Sequence, residues 1–153
     1  MEQMLATPAD ADIILRLYEL RREPVMRQAR DFFANFMPSS YEELMTVIGN
    51  FGSQENAYLR QVLTYWETAA SLIVHGALNA ELAQDTLGEM NFVYARIQPY
   101  VKKIRETLKS PEFMQNMEKV LEGTPEARER LHRMQERMAE FAKMRAAAAK
   151  QGS

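Results

Sequence analysis

The sequence predicts an all-α, single-domain bundle of six to seven helices around a central antiparallel helix pair. Apolar residues recur every three or four positions along most of the chain, as on the buried face of a helix. The sequence has no convincing run of alternating β-branched residues and no Asn-Gly or Asp-Gly hairpin turn. Six prolines and several capping residues divide the pattern into segments, and 153 residues are enough for one core.

Prolines mark the start of the first two predicted helices. Thr7-Pro8 is an N-cap followed by proline at the first helical position, and Ile13, Leu17 and Leu20 share one face of the helix that follows. The residue before a proline avoids the α conformation, so Pro24 predicts a break near Glu23 and a second helix after it. The inward side of that helix carries Met26, Ala29, Phe32, Phe33 and Phe36.

The third and fourth predicted helices are separated by a glycine-containing turn. Ser40 and Glu43 fit a capping box at the start of the short third helix. The turn GNFGS, residues 49–53, leads into a long fourth helix from about Gln54 to Ala77. The core-facing stripe of the fourth helix is Leu59, Val62, Trp66, Ala69 and Ile73, widened by Leu63 and Ala70.

A short connection follows, which favours an antiparallel pairing of the fourth and fifth helices. Asn79 is the expected N-cap of a single helical turn, residues 80–85. Pro99 lies inside the long fifth helix and is expected to kink or split it, because proline lacks an N–H donor. The apolar stripe of the fifth helix is Leu87, Met90, Tyr94, Ile97, Val101, Ile104 and Leu108.

The last two predicted helices divide the chain into two parts. Ser110-Pro111 is expected to start the sixth helix, and Gly123 to end it as a C′ residue. Thr124-Pro125 starts the seventh helix. We therefore expect a helical core domain over residues 1–123, and an amphipathic helix and tail over residues 124–153 that is packed on the core or used for association.

The seventh helix is the best candidate for an interaction surface. Its apolar stripe is narrow, and the rest of its surface is rich in Arg, Lys and Glu. A narrow stripe suits a coiled-coil seam or a helix lying in a groove, but the same stripe could pack on its own bundle. Acidic residues on the polar face argue against membrane-surface binding. The candidate interaction residues are Leu131, Met134, Met138 and Phe141.

A polar edge on the fourth helix is the candidate for a pocket. Glu67, Ser71 and His75 follow one another at steps of four and border the apolar stripe. In a catalytic triad the histidine lies between the nucleophile and the acid, whereas here Ser71 lies between the other two. Glu67 and His75 are also about 12 Å apart along the helix axis. The sequence therefore predicts no catalytic residues, and a structural polar edge and a small-ligand pocket stay open.

The sequence gives little support for a metal site or a cofactor site. The chain has no cysteine, which removes thiolate catalysis and Cys-ligated metals. Glu129 and His132 form one Glu-x-x-His element, but di-iron bundles need two. His75, the other histidine, is preceded three residues earlier by Leu72. We expect no metal and no cofactor.

The net charge argues against nucleic-acid binding, and the hydropathy argues against a membrane span. The net charge is −2, and acidic residues interrupt the basic segment that holds Arg21, Arg22, Arg27 and Arg30, so surface ion pairs are its expected use. The N-terminus has no signal-peptide pattern. The most apolar run, residues 69–78, is far shorter than the ~20 residues that cross a bilayer. We expect no membrane span and a cytoplasmic location.

Three stretches together resemble a family of short, uncharacterised bacterial and phage helical proteins known only as a domain of unknown function. They are LYELRREPVMRQARDFF, VLTYWETAASLIVHGALNAEL and ARIQPYVKKIRETLKSPEFMQNMEKV, and the resemblance covers about residues 11–121. It implies a helical fold but no assigned reaction and no agreed catalytic residues. Many members begin with a membrane-spanning helix, which this chain lacks, and the seventh helix lies outside the resemblance.

Two functions from different classes follow as expectations. The first is a non-enzymatic interaction or regulatory domain that self-associates or binds a protein partner through the last helix. The alternative is an enzyme or small-ligand binder with a pocket near Glu67, Ser71 and His75.

Overall fold

A computed structural model describes residues 4–152 of the chain, which form nine α-helices and no strand. The first three residues of the expected core domain, and Ser153 of the expected tail, lie outside the described residues. The all-α fold predicted from the sequence is confirmed. The helices are α1 (Pro8–Arg21), α2 (Pro24–Asn35), α3 (Tyr41–Ile48), α4 (Gln54–Val74), α5 (Ala80–Thr86), α6 (Gly88–Ile97), α7 (Val101–Leu108), α8 (Gln115–Glu122) and α9 (Pro125–Gln151).

Nine helices correspond closely to the predicted six to seven. The short turn after Asn79 is a helix of its own, α5. The predicted fifth helix is split at Pro99 into α6 and α7, which a 3-10 turn, Gln98–Tyr100, joins. The split has the expected cause, because proline removes a donor from the helical ladder.

Local capping chemistry starts several of these helices where the sequence predicts. The Thr7 hydroxyl accepts from the Asp10 backbone N–H (3.4 Å), and the Asp10 carboxylate accepts from the Thr7 N–H (2.7 Å). The Glu23 carboxylate caps α2 by accepting from the backbone N–H of Met26 (2.8 Å). Side-chain caps of this kind satisfy amides that have no partner inside the helix.

The predicted start of α8 is wrong. It lies at Pro111, four residues early, because Met114 adopts a left-handed conformation (φ 56°) and the helix begins only at Gln115. The helix ends directly before Gly123, as predicted, and the φ of Gly123 is −74°. A Cβ at Gly123 would lie 2.2 Å from the Lys119 carbonyl oxygen, so close backbone approach favours glycine here.

Helix α4 lies at the centre of the bundle. Its side chains Leu59, Val62 and Trp66 are at most 1% exposed, which makes this face the middle of the core. Its most extensive packing is against α2 and α8, and it also contacts α6, the other member of the predicted central pair. Among the described residues, no helix combines the length and the apolar character needed to span a membrane.

Helix α9 divides into two halves with different surroundings. The first half packs on α6 and α8 and buries Ala127 and Leu131 in the core. The second half, residues 139–152, is exposed at every position, and we call it the distal segment. The fully exposed part of α9 therefore begins at residue 139.

Candidate functional site

The polar edge of α4 is occupied by structural hydrogen bonds. The Glu67 carboxylate turns toward the start of α8. Its Oε1 accepts from the backbone N–H and the side-chain amide of Asn116, both at 2.9 Å. Its Oε2 accepts from the backbone N–H of Met117 at 3.0 Å. Glu67 thus acts as the N-cap of a helix that lies about fifty residues further along the chain.

Glu67 can cap α8 because α8 has no side-chain cap of its own. Met114, which occupies its N-cap position, offers no side-chain oxygen. Free amides in the first turn of a helix carry partial positive charge and need an acceptor. Glu67 supplies a negatively charged acceptor from α4, which also fixes α8 against the central helix.

Ser71 and His75 lie together but apart from this cap. His75 is exposed and ends α4. Its Nδ1 donates to the Ser71 carbonyl oxygen at 2.9 Å, and the Ser71 hydroxyl lies 3.4 Å from the same nitrogen. Glu67 makes its bonds with another helix, so the structure joins two of the three predicted pocket residues. This pairing can cap a helix end, but it brings no acid to the histidine.

The apolar stripe of α9 is covered only along its first half. Leu131 is 4% exposed, and Met134 and Met138 pack against the core as half-buried side chains. Phe141 is 60% exposed, as is Met144, which the sequence analysis did not single out. Met144 follows Phe141 by three positions, so helical spacing alone could have placed it beside Phe141.

Part of the N-terminal arginine segment forms ion pairs within the fold. Arg21 forms an ion pair with Glu89 of α6, and Arg30 pairs with the same carboxylate at 2.9 Å. Arg21 also lies over the ring of Trp66, with its guanidinium carbon 5.4 Å from the ring centroid. The hydrogen bond to Glu89 raises the pKa of Arg30. Two of the four arginines therefore join α1, α2 and α6 instead of forming a free basic patch.

The sequence model of one protein family, described as Domain of unknown function (DUF4760), matches residues 6–124. The chain belongs to the DUF4760 family. The matched part ends at Thr124, the residue that caps α9, so α9 lies beyond it. No curated protein and no solved structure matches the chain. The resemblance noted from the three sequence stretches is confirmed.

Outside the matched DUF4760 domain, the Glu-x-x-His element of α9 takes part in exposed ion pairs. His132 lies 3.1 Å from Glu136, and Glu129 lies 3.1 Å from Arg133. Within residues 4–152, no three His, Asp or Glu side chains are grouped so that they could hold a metal ion.

The DUF4760 domain also contains a buried cation that the sequence analysis missed. Arg96 on α6 is 7% exposed and lines an open cavity of about 440 Å³ between α9 and the bend at Pro99. The apolar periodicity of α6 gives no signal for it, because Arg96 lies between the buried residues Ala95 and Ile97.

Proposed function

We propose that this protein is a non-enzymatic interaction module that self-associates through the distal segment of α9, with a second copy of the same chain as its partner. The observation that carries the proposal is the exposure of Phe141 and Met144, each 60% accessible on a helix that continues past its own core. Large apolar side chains left together outside a core are typical of surfaces that another molecule covers.

Helix energetics supports a partner for the distal segment. All of residues 139–152 are exposed, and helical segments of about 12–15 residues with little tertiary packing are marginal in water. Phe141, Met144 and Ala148 recur at steps of three and four and so share one face. The small side chain of Ala148 lets a second helix approach closely.

Charge supports a second copy in parallel orientation. With Phe141 and Met144 at the seam, Glu140 lies on one flank of the distal segment and Arg145 on the other. A parallel, in-register pair would therefore set Glu140 beside the partner's Arg145, five residues further along. Opposite charges at such flanking positions choose orientation in coiled coils.

Sedimentation velocity from micromolar to millimolar concentrations tests the proposal on three proteins. The full chain is expected to show a monomer–dimer equilibrium, and the double variant Phe141→Ala/Met144→Ala is expected to stay monomeric. His132→Ala, an exposed change outside the distal segment, is the matched control and should behave as the full chain does. A full chain that stays monomeric throughout this range overturns the proposal.

A charge exchange tests the orientation. Glu140→Arg places like charges across the parallel pair and should weaken dimerisation. Adding Arg145→Glu to that variant should restore it. If the double exchange dimerises no better than Glu140→Arg alone, the parallel arrangement is wrong.

The cytoplasmic location expected from the sequence stays a prediction, and so does the alternative of a ligand pocket beside Glu67, Ser71 and His75. That alternative gains no support from the hydrogen bonds of Glu67, because both carboxylate oxygens already serve α8.

A further inference from the structure

Arg96 is a buried cation without an acidic partner. Its Nη1 donates to the carbonyl oxygens of Phe33, Ala34 (3.3 Å) and Phe36 (3.0 Å), at the end of α2. Its guanidinium also lies over the ring of Phe92, 4.3 Å from the centroid. Its Nε is buried and has no hydrogen-bond partner among the described residues. The carbonyls and the ring compensate part of the charge, but no carboxylate balances it.

Other arginines of low exposure have acidic partners. Arg21 and Arg30 share the carboxylate of Glu89, and Arg105 pairs with Glu118 at 3.0 Å. Buried charges are ordinarily paired, because desolvation without a counter-charge is costly. Arg96 has lower exposure than any of these three, and no acidic side chain of residues 4–152 pairs with it.

The surroundings of Arg96 raise the local positive charge. Burial, and to a smaller extent the charge of Arg145 on α9, lowers the pKa of Arg96 to about 10. Arg96 is therefore still a cation at neutral pH. An anion in the cavity that Arg96 lines is therefore attracted by Arg96, and the charge of Arg145 adds to this attraction.

The cavity has apolar walls around this single buried cation. Its volume is about 440 Å³, and it is bounded by the α2–α3 connection, the bend at Pro99 and one face of α9. The small side chains Ala139 and Ala142 leave the space open on the α9 side. Polar groups in the walls already have partners. The Gln135 amide donates to the Gln98 side chain (2.9 Å), and the Tyr100 hydroxyl donates to the Pro38 carbonyl oxygen (3.3 Å).

We propose that this cavity binds a small monocarboxylate with a short aliphatic chain, whose carboxylate pairs with the Arg96 guanidinium and whose chain lies on the walls formed by Met138, Ala139 and Ala142. A carboxylate is singly charged, which matches the single positive charge of one guanidinium. A phosphate would place further charged oxygens against apolar walls without donors. The site does not include Phe141 or Met144, so it stands independently of self-association.

Titration of the full chain with hexanoate, followed by the ¹⁵N-labelled side-chain N–H signal of Arg96, tests the proposal. Hexanoate is expected to shift that signal with a dissociation constant on the order of 1 mM. Hexanamide has the same chain without the charge. It should bind at least about tenfold more weakly than hexanoate, since charge-assisted hydrogen bonds are the stronger ones. Inorganic phosphate should bind more weakly than hexanoate as well.

A pair of tryptophan variants locates the binding. Ala142→Trp fills the cavity and should abolish the hexanoate response, whereas Ala147→Trp, on an exposed face of α9 that does not line the cavity, should leave it unchanged. No Arg96 response to hexanoate at tens of millimolar overturns the proposal, and Arg96 is then only the cap of α2. Equal binding of hexanoate and hexanamide, or tighter binding of phosphate, also overturns it, as does an undiminished response in Ala142→Trp.

Discussion

Replacing Glu67 by alanine should destabilise the whole domain, although Glu67 lies at the edge of the core. Its carboxylate accepts three hydrogen bonds from Asn116 and Met117. Hydrogen bonds to charged groups contribute about 1.5–3 kcal/mol each, and loss of an N-cap costs about 0.5–2 kcal/mol. Water can replace part of this because the site is only half-buried, so we expect a loss of about 2–4 kcal/mol in the free energy of unfolding.

Urea unfolding measured by circular dichroism gives this loss directly. A protein of this size loses about 2–4 °C in Tm for each kcal/mol, so thermal unfolding should shift by roughly 5–15 °C. Glu67→Gln keeps one acceptor oxygen but loses the charge, and should lie between the wild type and Glu67→Ala.

The matched control is Glu106→Ala, which removes an exposed glutamate from α7. Surface changes of this kind are usually within about 0.5 kcal/mol. If Glu67→Ala costs no more than Glu106→Ala, then the cap does not hold α8 and the structural account of the polar edge is wrong.

Two further predictions concern α9 and the N-terminus. Leu131→Ala should lower the free energy of unfolding by about 2–5 kcal/mol, whereas Phe141→Ala, measured at concentrations where the chain is monomeric, should change it by less than about 0.5 kcal/mol. Equal losses in urea unfolding would contradict the division of α9 into a core half and an exposed half. Backbone hydrogen bonds from Thr7 and Asn79 lower the pKa of Asp10, so its stabilisation is present above the unfolded pKa of about 3.9 and is lost as the pH falls below it. Asp10→Asn should therefore be less stable than wild type at neutral pH, and this difference should shrink in acid; a constant difference from pH ~6 to ~2 would refute the assignment.

Features that depend on a few neighbouring residues could be predicted from the sequence. Thr7 and Asp10 cap α1 through atoms three residues apart, and Asn79 caps α5 in the same way, by accepting from Leu82. Pro99 splits its helix because its own ring removes a donor. Periodicity identified Trp66 as a core residue, because a regular helix carries residues at steps of three and four to one face.

Periodicity was less reliable at the margins of the core. Leu20 was assigned to an apolar face, yet it is 58% exposed. A helical face is buried only where a neighbouring element covers it, and periodicity contains no information about the extent of that neighbour. The same limit applies to α9, whose stripe continues past the point where the bundle ends.

The sequence by itself thus determined the all-α class, most helix starts and the central position of α4, because caps, prolines and helical spacing are local properties. Only the tertiary structure decided that Glu67 serves α8, that Glu89 joins Arg21 and Arg30, and that Arg96 is buried without an acid. Each of these depends on which helix ends lie side by side, and that is fixed by packing between residues far apart in the chain.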